Sequence, residues 1–136
     1  MSKKIPPSIN DWLKEAKNDP SAANIGMYLV HNGVVRESAK AKVRYNEENT
    51  KPVKGMLFSY DREKLDAVIK EGYTLPGIYY IKAWLNEGQL NVGDDIMYVL
   101  IGGDIRPNVV DDLQHIVGRI KNECVTETEV HANSPG

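Results

Sequence analysis

The chain has 136 residues, 17 of them basic and 19 acidic, so its net charge is −2, and it has a single cysteine. This length predicts one domain with a full hydrophobic core, and the lone cysteine excludes an internal disulfide framework. The near-neutral charge gives no reason to expect a nucleic acid or an anionic membrane as partner, and because the apolar runs are only strand-length, no membrane span is predicted.

The N-terminal part predicts a helix, a strand and a polar loop. Residues 8–18 carry an apolar stripe at helical spacing, with Ser8 as the capping residue. Residues 22–36 have the alternation of extended chain, which Arg36 closes. The stretch 37–52 is polar and predicts a loop, whose cations either receive an anionic ligand or are solvated. These cations include Lys40, Lys42 and Arg44.

A second strand and helix come next, followed by a pair of strands. Residues 53–60 predict a strand, and Asp61 is expected to cap the helix that follows it. Residues 78–85 and 96–101 are two further apolar segments of strand length. The glycine-containing connection between them makes antiparallel pairing the simplest arrangement.

The longest predicted helix follows Gly102-Gly103. Pro107 marks its first turn, and Asn108 is the predicted N-cap. Burial of its apolar face stabilises the fold by up to about 10 kcal/mol, which outweighs the cost of about 1 kcal/mol for Gly118 inside the helix. That face consists of Val109, Leu113, Ile116, Val117, Ile120 and Cys124. Residues 125–136 then have too little apolar content to pack firmly and predict a polar, flexible C-terminal tail.

This order of elements predicts an α+β fold, with a mostly antiparallel sheet and packed helices, in a single domain over residues 1–124. The sequence has no zinc-type Cys/His spacing, no P-loop and no glycine-rich dinucleotide turn, so neither a metal nor a cofactor is expected. No apolar signal region follows the first residues, so the protein is expected in the cytoplasm.

Three cations are candidates for chemistry, and each has a plain structural alternative. Arg36 either binds a ligand or is a charge at a strand edge. Lys121, near the end of the long helix, either acts in a site or complements the helix dipole. Arg106 precedes that helix, where free N–H groups favour an anion that an arginine can hold bidentately. It could equally pair with its acidic neighbours, Asp104, Asp111 and Asp112.

The histidines and the cysteine are weaker candidates. His31 could act as a base, but a histidine in a strand is more often packed or hydrogen-bonded. His115 falls on the polar side of the long helix and is expected to be solvated. Cys124 continues the apolar stripe, so a buried, inert thiol is expected rather than a nucleophile.

Taken together, these segments resemble the large, catalytic subunit of molybdopterin synthase, in order, from residue 11 to residue 124. Gly33-Val34-Val35-Arg36 looks like the Gly-x-Val-Arg segment that follows the family's first strand. Gly88-Gln89-Leu90-Asn91-Val92-Gly93-Asp94 is similar to the family's Gly-x-Leu-x-Val-Gly-Asp/Glu hairpin. Arg106 and the helix up to Lys121 look like the family's arginine and its long helix ending in an active-site lysine.

The resemblance implies an α/β-hammerhead-type fold and a homodimer within a heterotetramer. Each large subunit would bind a small ubiquitin-like sulfur-carrier subunit as its partner. The implied reaction transfers sulfur from the carrier's C-terminal thiocarboxylate to cyclic pyranopterin monophosphate, a pterin phosphate. Carried over by motif, Arg36 and Arg106 would bind the anionic substrate, and Lys121 would be the catalytic residue near the thiocarboxylate carbonyl.

The positions of two of these residues add a condition. Arg106 and Lys121 are fifteen residues apart at opposite ends of one helix, which separates them by about 22 Å. They cannot share one small site within a chain. If both act on one substrate, the site crosses a subunit boundary, and the enzyme hypothesis therefore predicts a dimer.

The chain departs from the family pattern in three places, one of which is the polar loop 37–52, which does not match the family well. Ile105 stands where the family has a histidine, and Val125-Thr126-Glu127-Thr128-Glu129 stands where it has an aromatic segment with a second lysine. Lost positive charge and added negative charge weaken anion binding and transition-state stabilisation. The alternative function is a non-catalytic homologue that acts as a binding or scaffold dimer for the sulfur carrier. A third hypothesis is an unrelated α+β domain.

Overall fold

The computed structural model describes residues 3–39 and 52–131. Most of the predicted loop, with Lys40, Lys42 and Arg44, lies outside these ranges. No helix within them is long and apolar enough to pass through a bilayer. In chain order the elements are α1 (Ile9–Lys17), a 3₁₀ helix (Pro20–Asn24), β1 (Met27–Val34), β2 (Val53–Tyr60), α2 (Arg62–Gly72), β3 (Ile78–Leu85), β4 (Gly88–Asn91), β5 (Asp95–Gly103), α3 (Arg106–Arg119), a π-helical turn (Ile120–Cys124) and β6 (Val125–His131).

The first sheet has the strand order β1-β5-β3, with both pairs antiparallel. The predicted pairing of 78–85 with 96–101 is confirmed, with Ile81 opposite Ile101 and Leu85 opposite Met97. β5 lies in the middle and is covered on both faces, which explains its unbroken apolar run. The predicted α+β class with antiparallel strands is confirmed.

The two faces of this sheet belong to two separate cores. On one face, Trp12 and Ala16 of α1 pack with Leu100, and the Trp12 ring meets Tyr98 edge-on at 6.3 Å. On the other face lies the larger core, to which α3 contributes Val109 and Ile116. The predicted stripe of the long helix is therefore buried, although Leu113 and Val117 are only half-buried.

The second sheet has the strand order β4-β2-β6, and both pairs are antiparallel. It corrects the prediction of a flexible tail for residues 125–131, because Val125–His131 is the strand β6, paired with β2 from Tyr60 to Val53. The rest of that predicted tail, residues 132–136, lies outside the described residues. The sequence pattern missed this strand since its inward residues include glutamates. It also missed β4, which lies within the predicted connection between β3 and β5.

The helix starts follow the expected chemistry except in α3. The Ser8 hydroxyl accepts a hydrogen bond from the Asp11 amide at 3.3 Å, and the Asp61 carboxylate accepts one from the Lys64 amide at 3.1 Å. In α3 the predicted N-cap, Asn108, is wrong, because the helix has already begun at Arg106. The Asn108 side chain instead donates to Asp104 Oδ1 at 3.1 Å, just before the helix.

Candidate active site

A cavity of about 600 Å³ is bordered by strands of both sheets and by the π-helical turn. Its floor is apolar and comes from β2 and β5, while its charged side chains come from the surrounding segments. The titratable residues that line it are His31, Arg36, Lys121, Glu127, Glu129 and His131. The volume falls within the range of about 300–1,000 Å³ that is typical of small-molecule sites.

Arg36 reaches this cavity because of an irregularity at the end of β1. The register of β1 against β5 shifts between Gly33 and Val34. Beyond the shift the chain stays attached, since the Val35 amide donates to the Asp94 carbonyl at 3.0 Å and the Val35 carbonyl accepts from Gly93 at 2.8 Å. Val35 is buried, and Arg36 next to it is exposed and lines the cavity.

Lys121 reaches the same cavity from the π-helical turn that continues α3. Ile120 and Cys124 of this turn are buried, whereas Lys121 between them is exposed. π-helical turns are rare and are found frequently at functional sites. The structure thus brings together Arg36 and Lys121, two of the three residues predicted for the site.

Arg106, the third predicted residue, does not line this cavity. It is exposed at the first position of α3, at the opposite end of the helix from the π-helical turn. No ion pair joins it to Asp104 or Asp111 in the described part of the chain, so the predicted alternative of a paired surface arginine is not seen. Asp112, its other proposed partner, is buried at 4% exposure.

His31, for which the sequence left open a base or a packed or hydrogen-bonded histidine, lines the cavity. It lies in β1 opposite Val99, and its Nε2 atom is buried without a hydrogen-bond partner among the described residues. Burial, and next the positive charge of Lys121, lower its pKa below the ordinary value of 6.5. The imidazole is therefore mainly neutral at pH 7. In the sequence, His31 lies two residues before Gly33, within the predicted extended segment that Arg36 closes.

β6 forms the wall that carries negative charge. Glu127 and Glu129 are opposite Phe58 and Met56 of β2 and share their inward face. The Glu129 carboxylate lies 3.6 Å from His131 Nε2. The cavity therefore combines two cations with two carboxylates, as the departures of the sequence in this segment had predicted.

Three further side chains on α3 and the π-helical turn, those of Arg119, Cys124 and His115, do not line the cavity. Arg119 forms ion pairs with Glu71 and Glu123, so it does not replace the missing second lysine. Burial raises the pKa of the Cys124 thiol, and the prediction of a buried cysteine is confirmed. His115 is exposed, as predicted. Among residues 3–39 and 52–131, no group of His, Cys, Asp and Glu side chains has the arrangement of a metal site.

Comparison with known proteins relates this architecture to solved structures. No protein-family model and no curated protein matches the sequence. Molybdopterin synthase from Staphylococcus aureus matches with a TM-score of 0.71 and 17% identity, over 96% of this chain and 90% of that chain. A molybdopterin biosynthesis MoaE protein from Burkholderia ambifaria MC40-6 matches with a TM-score of 0.68 and 17% identity, over 98% of this chain and 88% of that chain.

A third match is the complex of subunits 1 and 2 of molybdopterin-converting factor from Helicobacter pylori 26695. Its TM-score is 0.63 at 17% identity, over 94% of this chain and 82% of that chain. These matches extend over nearly all of the chain at low identity, so the likeness is one of fold. The resemblance drawn from the sequence is confirmed at that level: the chain has the fold of the molybdopterin synthase large subunit.

Proposed function

We propose that this protein is a molybdopterin synthase large subunit that takes part in molybdenum cofactor biosynthesis. It would transfer sulfur from the C-terminal thiocarboxylate of a small subunit to cyclic pyranopterin monophosphate, in the cytoplasm. The observation that supports this most is the meeting of Arg36 and Lys121 at one cavity on this fold. They come from distant segments of the chain, and the resemblance assigns both of them to the site independently of the structure.

The two cations suit the proposed chemistry in different ways. A guanidinium binds a phosphate through two parallel hydrogen bonds, so Arg36 is assigned to the phosphate of the pterin. An ammonium is a compact charge that stabilises an oxyanion developing on the thiocarboxylate carbonyl, so Lys121 is assigned to the reacting group. Neither side chain forms an ion pair with another described residue, which leaves both available to a ligand.

The assembly proposed for this reaction has two kinds of contact. The Helicobacter pylori match is a complex of two different subunits, which supports a small-subunit partner here. A homodimer of large subunits is proposed because Arg106 is exposed and lies away from the cavity of its own chain. In a dimer, Arg106 of one chain could complete the cavity of the other.

A single-turnover assay tests the proposal. Purified protein is mixed with thiocarboxylated small subunit and cyclic pyranopterin monophosphate, and the dithiolene product is followed. Lys121→Ala is expected to lower the rate by roughly a hundredfold or more, because a single positioned charge commonly contributes that much. Lys70→Ala, which removes an exposed lysine of α2 outside the cavity, is the matched control and should keep the wild-type rate.

The results of this assay distinguish a working enzyme from a non-catalytic binding protein. Wild-type turnover in Lys121→Ala would contradict the assignment of Lys121. If even the unaltered protein forms no product but retains the small subunit in a pull-down, the alternative of a non-catalytic binding dimer is correct. Circular dichroism of each variant establishes that loss of rate does not come from loss of fold.

A further inference from the structure

The cavity carries a half-buried carboxylate that the proposed roles of Arg36 and Lys121 leave unexplained. Glu127 projects from β6 on the same face as buried Phe58, its partner in β2. It lines the cavity, yet its carboxylate forms no hydrogen bond or ion pair with any residue in the described ranges. Glu129 differs, because it lies beside His131. The Glu127 oxygens are not among the buried side-chain atoms without a partner, so a ligand that enters the cavity can reach them.

The signs of the charges limit how a ligand can lie in this cavity. Arg36 and Lys121 attract an anionic group, whereas Glu127 repels one. Neither cation forms an ion pair with Glu127 although all three line the same cavity. A ligand that uses every one of these groups must therefore carry an anion at one end and hydrogen-bond donors at the other.

A pterin phosphate has this distribution of groups. Its phosphate is the anion, and the 2-amino group and N3–H of its pyrimidinone ring form two parallel donors at the far edge. Two parallel N–H groups match the two oxygens of a carboxylate, as they do when arginine meets a carboxylate. We propose that Glu127 accepts hydrogen bonds from this edge of the pterin while Arg36 holds the phosphate and Lys121 remains at the reacting group. This inference rests on the proposed function, since it assigns a specificity-determining residue for the same substrate.

Equilibrium binding tests this assignment without requiring turnover. The probes are 6-hydroxymethylpterin monophosphate and the matching lumazine, in which an oxo group replaces the 2-amino group; binding is followed by ring fluorescence at neutral pH. The oxo group turns a donor toward Glu127 into an acceptor. The unaltered protein is expected to bind the pterin roughly ten- to a hundredfold more tightly than the lumazine, as befits charge-assisted hydrogen bonds.

The variant Glu127→Gln should remove most of this preference, because its amide presents only one acceptor oxygen to two donors. The matched control is Glu63→Gln, which alters an exposed glutamate in the first turn of α2 and should keep the preference. Equal binding of the two probes by the unaltered protein would overturn the proposal. This comparison uses only the unaltered protein, so it does not depend on whether a variant folds. An unchanged preference in Glu127→Gln would overturn it as well.

Two further measurements separate this inference from the proposed function. If Glu127→Gln weakens binding of the small subunit's C-terminal peptide while the preference for pterin persists, Glu127 faces the peptide and the inference fails. If the preference depends on Glu127 but no sulfur is transferred, the assignment of Glu127 stands and the proposed sulfur transfer fails. If sulfur is transferred but pterin and lumazine bind equally, the proposed sulfur transfer stands and the assignment of Glu127 fails.

Discussion

The residues of the cavity influence one another through their charges. His31 is neutral at pH 7 because its ring is partly buried and Lys121 lies near enough to oppose a second positive charge. This arrangement leaves Lys121 as the cation and provides a neutral imidazole beside it. Ile105, which stands where the family has a histidine, lies just before α3 and outside the cavity, which is instead lined by His31 of β1 and His131 of β6.

The pKa of His31 should rise in Lys121→Ala, because a repulsive charge is removed while the burial stays. The pKa of His31 is lower in the folded state than in the unfolded state, so as pH falls below about 6.5 the unfolded state takes up the proton first. His31 therefore does not change the free energy of unfolding above that pH, and it lowers this free energy as pH falls toward the folded-state pKa. Lys121→Ala should make this loss smaller. The imidazole proton shifts of His31, followed by NMR between pH 4 and 8, measure the effect. An unchanged midpoint, or an equal rise in the control Lys70→Ala, would contradict it.

At the scale of elements, an added methyl group should change the free energy of unfolding in opposite directions at two glycines, Gly103 and Gly118. In Gly103→Ala at the end of β5, the new Cβ would lie 2.6 Å from the Gly77 carbonyl oxygen and 2.7 Å from Val109 Cγ2. That overpacking should lower the free energy of unfolding by about 1–3 kcal/mol. Gly118 of α3 has nothing within 4 Å of an added Cβ, so Gly118→Ala should raise it by about 1 kcal/mol through helix propensity.

Urea denaturation of the two variants checks this pair, and each serves as the control for the other. Because both substitutions add the same group, the difference between them isolates the space available at each site. If both variants change stability in the same direction, the packing of β5 against α3 and Gly77 differs from the structure described here.

The strand β6 should be required for folding, because it completes one side of β2. Without it, Phe58 and Val53, each only 3% exposed, would lie on a strand with an unpaired edge. A chain ending at Cys124 is expected to lose its cooperative thermal transition. A chain ending at His131 is the control and should keep that transition. Calorimetry on both chains decides between a structural strand and the flexible tail that the sequence pattern predicted.

At the scale of the whole molecule, the positions of Arg106 and Lys121 allow a test of the proposed dimer. If Arg106 acts in the partner's cavity, a dimer of one Arg106→Ala chain and one Lys121→Ala chain has one intact site. Random reassortment forms such dimers about half of the time, so mixing two inactive variants should restore about a quarter of the wild-type activity. Single-turnover assays on the co-refolded mixture measure this recovery.

The matching control combines Arg36→Ala with Lys121→Ala. These residues line one cavity of one chain, so every site in a mixed dimer lacks one of them and no recovery is expected. Recovery in this control would contradict the site as described. If the Arg106→Ala mixture also shows none, Arg106 does not act across a subunit boundary.

Much of the fold follows from local patterns in the sequence. The limits of β2 and β3 and the caps of α1 and α2 were predicted because each depends on residues a few positions apart. β6 was missed because its inward residues Glu127 and Glu129 line a cavity instead of a core, so the alternation that marks a half-buried strand is absent. The same reason explains why polarity alone indicated a tail.

The sequence by itself determined the class of fold, the apolar face of the long helix and the three cations that the family resemblance singled out. Only the tertiary structure decided which of them meet. Arg36 and Lys121 share a cavity because a register shift in β1 and a π-helical turn after α3 direct both toward it. The structure also brought His31 and Glu127 to that cavity. Such meetings depend on long-range strand pairing, which periodicity along the chain does not encode.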